Sequence, residues 1–256
     1  ERNAITRIVV WGSWLGDVLP DDPANVEFTL SLHADIPDPD GSGPAYSMPG
    51  ELLWMRPFPP GSFQVSMYQD QISEGWWDPS EPGSYIFPGD HVCWMYIFDI
   101  PATEAFCQQG SPDEPLIYWL DVQAMIPGSP TPAQFGWKTS TMHWNDDAVF
   151  GLGQDPFPGP WQELRYPDQH PLQGQSLDLA FALGAEPCPT LRADSNCDGV
   201  VNGYDIDAFV MALTAPDAWR AMYDCDFYAA NDINGDGAVN GYDIDPFVRC
   251  LTSGGC

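Results

Sequence analysis

Residues 194–213 read DSNCDGVVNGYDIDAFVMAL, and residues 232–251 read DINGDGAVNGYDIDPFVRCL. The two stretches are 38 residues apart, and six of their twenty aligned positions differ. Each opens with D-x-N-x-D-G-x-V-N-x-x-D. A tight loop of twelve residues turns alternate side chains inward at positions 1, 3 and 5. A hard cation such as Ca²⁺ takes six to eight oxygen ligands from such a loop. The inward set is Asp194, Asn196 and Asp198 in the first copy, and Asp232, Asn234 and Asp236 in the second. Position 6 is Gly199 or Gly237, where a sharp turn favours a residue without a Cβ. Position 7 offers the carbonyl of Val200 or Ala238. Positions 9 and 12 add Asn202 and Asp205, then Asn240 and Asp243. Two calcium ions are therefore expected, each with six named ligands. Val201 and Val239 point the other way and are expected to pack between the loops.

Position 12 also begins a helical pattern. Asp205 and Asp243 are residue types that cap helices, and Ile206, Phe209, Val210 and Leu213 recur at helical spacing, as do Ile244, Phe247, Val248 and Leu251. Pro246 falls in a first turn, where its missing N–H costs little. Between the copies, residues 214–223 (TAPDAWRAMY) predict a further helix with Pro216 near its start.

Upstream, the signals are those of strands. Val26, Phe28, Leu30 and Leu32 alternate with polar residues, and Leu177, Leu179, Phe181 and Leu183 do the same. Residues 92–98 and 116–122 read as more fully buried strands. Turn sequences such as Pro37-Asp38-Pro39-Asp40-Gly41 and Pro127-Gly128-Ser129-Pro130 separate them. Eight to ten short strands are expected. They predict a mainly β domain over residues 1–184, an antiparallel β-sandwich of jelly-roll type. Residues 185–190 read as a short Pro-rich linker, and residues 191–256 as a small helical calcium-binding domain.

The formal charge is −29, and Lys138 is the one lysine. No basic stripe exists to meet phosphates, so nucleic acid is not an expected partner. Before Cys188 there are five basic and 26 acidic residues; from Cys188 on there are three and 11. Two Ca²⁺ would offset half of the negative charge of the second part. No apolar run approaches the ~18 residues of a membrane span. Glu1 leads within four residues into the strand pattern of residues 5–10, as a processed N-terminus would. Seven cysteines without zinc-type spacing point to an oxidising, extracellular setting. Cys250 and Cys256 can close a short loop, and Cys93 and Cys107 are expected to staple the β domain. One thiol is left over, free or bridging to another chain.

The tail resembles the type I dockerin family, whose members pair two such loop–helix units around a pseudo-twofold axis. The resemblance covers residues 194–251. It implies that the twelve positions named above are calcium ligands, that calcium folds the module, and that a cohesin docks at loop positions 10 and 11 and along the helix. Those positions are commonly Ser or Thr in the family. Here they are Gly203-Tyr204 and Gly241-Tyr242, which separates the calcium expectation from the cohesin one. The β part resembles a Trp-rich sandwich domain of unassigned function found before such repeats in secreted bacterial proteins. The matching stretches include Trp11-Gly12-Ser13-Trp14 and Phe135-Gly136-Trp137-Lys138-Thr139-Ser140.

No catalytic motif is present: G-x-S-x-G, H-E-x-x-H and the P-loop are all absent. Glu51, Glu74, Glu104 and Glu163 are the right type for glycoside hydrolysis, but nothing pairs them. His33, His91, His143 and His170 are scattered. Among the eleven tryptophans, Trp76-Trp77 is the foremost candidate sugar platform, followed by Trp144 beside Asn145, Asp146 and Asp147. Asp38-Pro39-Asp40-Gly41 reads as a solvated turn. The expected function is a secreted, non-enzymatic calcium-binding structural protein, a subunit of an extracellular filament or surface layer. It would associate with itself or with another extracellular protein. The N-terminal strand, residues 5–11, is expected to be available to a neighbour's sheet edge. The alternatives are a carbohydrate-binding protein with a polysaccharide partner and, behind it, a glycoside hydrolase.

Overall fold

The computed structural model describes residues 3–38, 46–110, 115–127, 133–143, 146–153, 159–253 and 256. Trp144, Asn145, the turn residues Pro39-Asp40-Gly41 and the turn residues 128–130 lie outside this set. The fold is mainly β, with antiparallel sheets. The strands are β1 (Asn3–Trp14), β2 (Glu27–Ile36), β3 (Met48–Phe58), β4 (Gln64–Gln69), β5 (Glu74–Trp76), β6 (Ile86–Asp90), β7 (Cys93–Asp99), β8 (Phe106–Cys107), β9 (Tyr118–Met125), β10 (Phe135–Trp137), β11 (Thr139–Ser140), β12 (Val149–Phe150), β13 (Gln162–Glu163), β14 (Asp178–Leu179) and β15 (Phe181–Pro187). The helices are α1 (Asp205–Thr214), α2 (Pro216–Met222), α3 (Phe227–Asn231) and α4 (Ile244–Ser253).

The chain divides into two compact units. The larger comprises Ile5–Pro101 and Gln109–Ala185. The smaller comprises Glu1–Ala4, Ala102–Gln108 and Glu186–Cys256. In the larger unit one sheet runs β10-β1-β7-β4, with β15 also on β1, and another runs β3-β2-β9. Alternation along β1 and β2 decides which side chains go inward. Ile8 and Val10 from β1, Phe28 and Leu30 from β2, and Tyr96 and Phe98 from β7 are all fully buried. Phe28 is the common neighbour of this core. Its ring centroid lies 5.0–5.3 Å from those of Phe63, Tyr96, Phe98 and Phe135. Three of the four contacts are edge-on, the arrangement that aromatic quadrupoles prefer.

Three expectations for this unit are corrected. First, Ser31 and His33 are buried although alternation places them outward. β2 is the central strand of its sheet and is covered on both faces. The Ser31 hydroxyl meets His33 Nε2 at 3.0 Å, and His33 Nδ1 meets the Gly50 carbonyl at 3.2 Å. A proton on Nδ1 satisfies both contacts, because Nδ1 then donates to the carbonyl and Nε2 accepts from Ser31. Second, β1 is not a free edge. It pairs with β7 from Arg7 to Gly12 and with β10 from Gly12 to Trp14, so its backbone groups are already used. Third, the strand expected across residues 177–183 is two strands, β14 and β15, because Leu179 turns to pair with Thr139 while Phe181 begins a new strand.

The smaller unit packs around two clusters. Phe209 and Phe247, equivalent positions of the repeat, stack at 4.0 Å with a 14° interplanar angle, flanked by Ala193, Ile233 and Cys250. Equivalent positions of the repeat thus meet each other in this core. The second cluster holds Trp219, fully buried, with Ala212, Phe227 and Ala230. Its indole N–H donates to the Ser195 carbonyl at 2.9 Å. Val201 packs against the first cluster and Val239 against the second. The inward face of α1 is Ala208, Phe209 and Ala212, while Ile206 and Val210 are half exposed.

Among the described residues the disulfides are Cys107–Cys188, Cys197–Cys225 and Cys250–Cys256, and Cys93 is free. The expected Cys93–Cys107 staple is therefore wrong. Cys93 starts β7 with its side chain inward, whereas Cys107 belongs to the smaller unit with Cys188. The segment expected to be a linker is also different: β15 runs to Pro187 and Cys188 is cross-linked. The extended path that prolines impose is compatible with a strand. Among the described residues no helix is long and apolar enough to cross a membrane.

Burial pushes the Cys93 thiol up to about 11, so it stays protonated at neutral pH and is a poor nucleophile. A thiol-reactive aromatic disulfide at pH 8 should label the native protein only slowly. One equivalent per chain should react at once in denaturant without reductant, read as absorbance of the released thiolate.

Candidate metal centre

The two acidic loops share their left-handed positions. Loop position 4 is left-handed in both, with φ +60° at Cys197 and +74° at Gly235. Position 6 is also left-handed, with φ +85° at Gly199 and +86° at Gly237. A side chain at φ > 0 is strained, which is why glycine holds position 6. Cys197 adopts this conformation while cross-linked to Cys225.

Hydrogen bonds repeat copy for copy. Asp194 accepts from the Asp198 and Gly199 amides at 2.9 and 2.8 Å. Asp232 accepts from the Asp236 and Gly237 amides at 3.1 and 2.8 Å, and also from Gly235. Asn196 accepts from the Asp198 amide and donates to the Asp198 carboxylate, as Asn234 does with Asp236. The amides of Val200 and Ala238 each donate to the position-5 carboxylate at 2.9 Å. Asn202 and Asn240 accept from the Tyr204 and Tyr242 amides.

Position 12 reaches back across each loop. Asp205 takes the Asn196 amide on one oxygen at 3.0 Å and the Asn202 amide on the other at 2.8 Å. Asp243 takes the Asn234 and Asn240 amides at 3.0 and 2.9 Å. Neither is the helix cap that the sequence suggests. Asp205 is the first residue of α1 and makes no side-chain cap. Asn240 is the cap in the second copy, at the head of a short 3₁₀ turn, Gly241–Asp243, that precedes α4. Asp243, the third residue of that turn, accepts the Asn240 amide and so closes a capping box with Asn240.

Asp194, Asp205, Asp232 and Asp243 are buried. Burying a carboxylate is costly unless it is hydrogen-bonded or paired. The effect registers at Asp205: burial pushes its carboxyl above the ordinary value, opposed by the amides of Asn202, Asn196 and Ser195. A carboxylate offers about four acceptor positions, and these backbone bonds use two or three. The donors in each loop are all oxygens: three carboxylates, two carboxamides and a peptide carbonyl. That set suits a hard divalent cation and not a soft one. Among the described residues no three His, Cys, Asp or Glu side chains converge tightly enough to hold a metal by themselves. In both loops the carboxylates lean on backbone amides, so a cation would draw on the Asn carboxamides and on the Val200 or Ala238 carbonyl as well.

Of the other candidates, Glu74, Trp76, Trp77 and His170 line one cleft, and Glu51, Glu104, Glu163, His33, His91 and His143 are not among its lining residues. Glu74 pairs with Lys138 and Glu163 with Arg165, while Glu51 lies exposed on β3. Glu104 belongs to the smaller unit. His91 bonds Asp17, His143 lies 3.6 Å from Asp178, and His170 stacks on Tyr166. Asp146 accepts from the Ser47 amide, and Asp147 bonds Ser176. Trp76 and Trp77 line a cleft that also takes residues from β10 and from the segment 164–171. Sequence reasoning missed Lys138, Tyr85 and Tyr166 there, which carry no local motif.

Replacing Asp205 by Ala strands the Asn196 and Asn202 amides. In chelator-treated protein this should destabilise the smaller unit by about 1–3 kcal/mol, from the cost of buried amides without acceptors. Asp243→Ala should behave alike. Denaturant unfolding at neutral pH measures both.

No curated protein and no solved structure matches the chain. A family model described as "Domain of unknown function (DUF7901)" matches residues 1–184, about seven-tenths of the 256 residues and the whole run up to β15. The chain belongs to that family.

Proposed function

We propose that residues 194–205 and 232–243 bind one Ca²⁺ each, and that the protein is a secreted, non-enzymatic structural protein. The observation that carries the reading is the repetition of the same position-12 hydrogen bonds in two loops whose proposed ligand atoms are all hard oxygens. The ligands would be Asp194, Asn196, Asp198, Val200, Asn202 and Asp205, then Asp232, Asn234, Asp236, Ala238, Asn240 and Asp243. Bound calcium would neutralise carboxylates that the fold buries, and so lock the loops to the helices that follow. Disulfides favour an oxidising, extracellular location for this module. The aromatic contacts between strands β2 and β7 fit a β-sandwich reading of the larger unit.

Equivalent residues of the repeat leave equivalent apolar surface. Tyr204 and Tyr242 are 83% and 80% exposed, and Ile206 with Ile244 and Val210 with Val248 are each about half exposed. Exposed apolar side chains in a repeated arrangement fit docking onto another protein, either a second copy of this chain or an extracellular partner. Both copies supply the same chemistry, so a partner could engage either one.

Titration calorimetry on decalcified protein should give two calcium ions per chain. Asp194→Ala and Asp232→Ala should each remove one, and chelator should lower the melting temperature reversibly. A chain that takes up no calcium at millimolar concentration rules the reading out. For assembly, electron microscopy and sedimentation velocity in calcium should show oligomers that the Tyr204→Ala, Tyr242→Ala double variant disperses. A monodisperse monomer at high concentration would leave the calcium sites standing and remove self-association.

A further inference from the structure

The larger unit contains a cleft of about 860 Å³, within the ~300–1,000 Å³ range of small-ligand sites. Trp76, Trp77, Tyr85, Phe87, Tyr166 and His170 line it, over a floor that includes Glu74 and Lys138. Three glycines mount the rings directly on backbone. A Cβ at Gly136 would stand 2.5 Å from the Trp76 ring, and one at Gly89 would stand 2.3 Å from the Trp76 Cβ. A Cβ at Gly75 would stand 2.5 Å from the Tyr85 ring. Tyr85 meets His170 edge-on at 5.5 Å, and His170 stacks on Tyr166 at 4.4 Å. Trp77 packs against the cluster of Ala148, Leu164, Tyr166 and Leu177. Neither Trp76 nor Trp77 stacks on another ring among the described residues, and Phe87 is 64% exposed. The walls are thus rigid aromatic surfaces that cost little to order on binding.

The charges on the floor are already satisfied. Lys138 Nζ lies 2.6 Å from Glu74 and 2.8 Å from Asp90, and buried Asp90 also accepts from Ser13 at 2.9 Å. Among the described lining residues no further Lys or Arg stands ready to hold a phosphate, sulfate or carboxylate ligand, and the net charge of the chain repels anions. His170 Nδ1 accepts the Leu172 amide at 3.1 Å, and burial lowers the pKa of the ring, so the neutral imidazole presents Nε2–H as a donor. Glu74, 40% exposed, has carboxylate surface facing solvent. The matching ligand is uncharged, has apolar faces for the rings, and has hydroxyls at its edge for these groups.

We infer that this cleft binds an uncharged saccharide chain. The weakly positive C–H faces of pyranose rings lie on the negative faces of the indoles, while hydroxyls bond the Glu74 carboxylate and His170 Nε2–H. The site does not depend on the calcium reading, because every residue in it belongs to the larger unit. Glu74 and Asp78 are the carboxylates among the lining residues, and Asp78 accepts from the Ser80 amide and hydroxyl; the inference is one of binding.

The test uses the full chain in excess calcium. Cello-, xylo-, manno-, malto- and laminari-hexaose are titrated by calorimetry and by tryptophan fluorescence, with choline and a sulfated oligosaccharide alongside. At least one neutral hexasaccharide should bind saturably at one site per chain. Trp76→Ala and Trp77→Ala should each weaken it about tenfold or more, as truncation of an aromatic anchor does. Phe87→Ala, at an exposed position that folding does not need, should weaken it severalfold. Met222→Ala, exposed in the smaller unit, should leave it unchanged. If the tryptophan variants lose thermal stability, the Phe87 variant decides. Absence of saturable binding across the neutral panel overturns the inference. So does binding confined to choline or to the sulfated sugar, or binding that no cleft variant alters.

Discussion

The smaller unit depends on a carboxylate that reaches back across its own loop. Asp205 and Asp243 each hold the amides of positions 3 and 9 of their own twelve-residue loop, one on each oxygen. That grip draws the loop closed, buries the carboxylate, and sets where the following helix starts. In the second copy it leaves capping to Asn240. It also gathers negative charge in a place that water cannot fully solvate. The stack of Phe209 on Phe247 then fixes one copy against the other, with disulfides closing two loops around it.

The larger unit is organised by aromatic rings in two different ways. Around Phe28 they meet edge-on and exclude water, which is a stability arrangement. Around Trp76 they sit on glycine backbone with surface still open, which is not. The second arrangement forgoes burial that a larger neighbour could have provided. Lys138 belongs to this region too. The one lysine of a chain with charge −29 is spent neutralising Glu74 and Asp90 beneath the cleft, not on the surface. Its ion pairs hold β5, β6 and the residue after β10 together through charge-assisted bonds.

Much of the smaller unit was legible in the sequence because its logic is local. Ligand spacing, glycine at position 6 and helical periodicity all operate within one turn or one helix. The errors there came from longer range. Ile206 and Val210 fit helical spacing, but the side of α1 that goes inward was decided by Phe209 meeting Phe247. Val201 and Val239 occupy one repeat position and still join different clusters, Val201 that of Phe209 and Val239 that of Trp219.

For the larger unit the sequence by itself determined that strands form and roughly where, since alternation and turn residues act over a few positions. Tertiary structure alone decided that β1 is an interior strand, that Ser31 and His33 are buried, and that Cys107 joins Cys188 while Cys93 stays free. It also decided which of eleven tryptophans would line a cleft with Tyr85, Tyr166 and Lys138. The reason is the same in each case. Strand order and ring placement depend on pairings between residues many tens of positions apart, and a pleated strand carries no local mark of its neighbour. The acidic loops, closed by hydrogen bonds between their own positions, carry all of their marks within twelve residues.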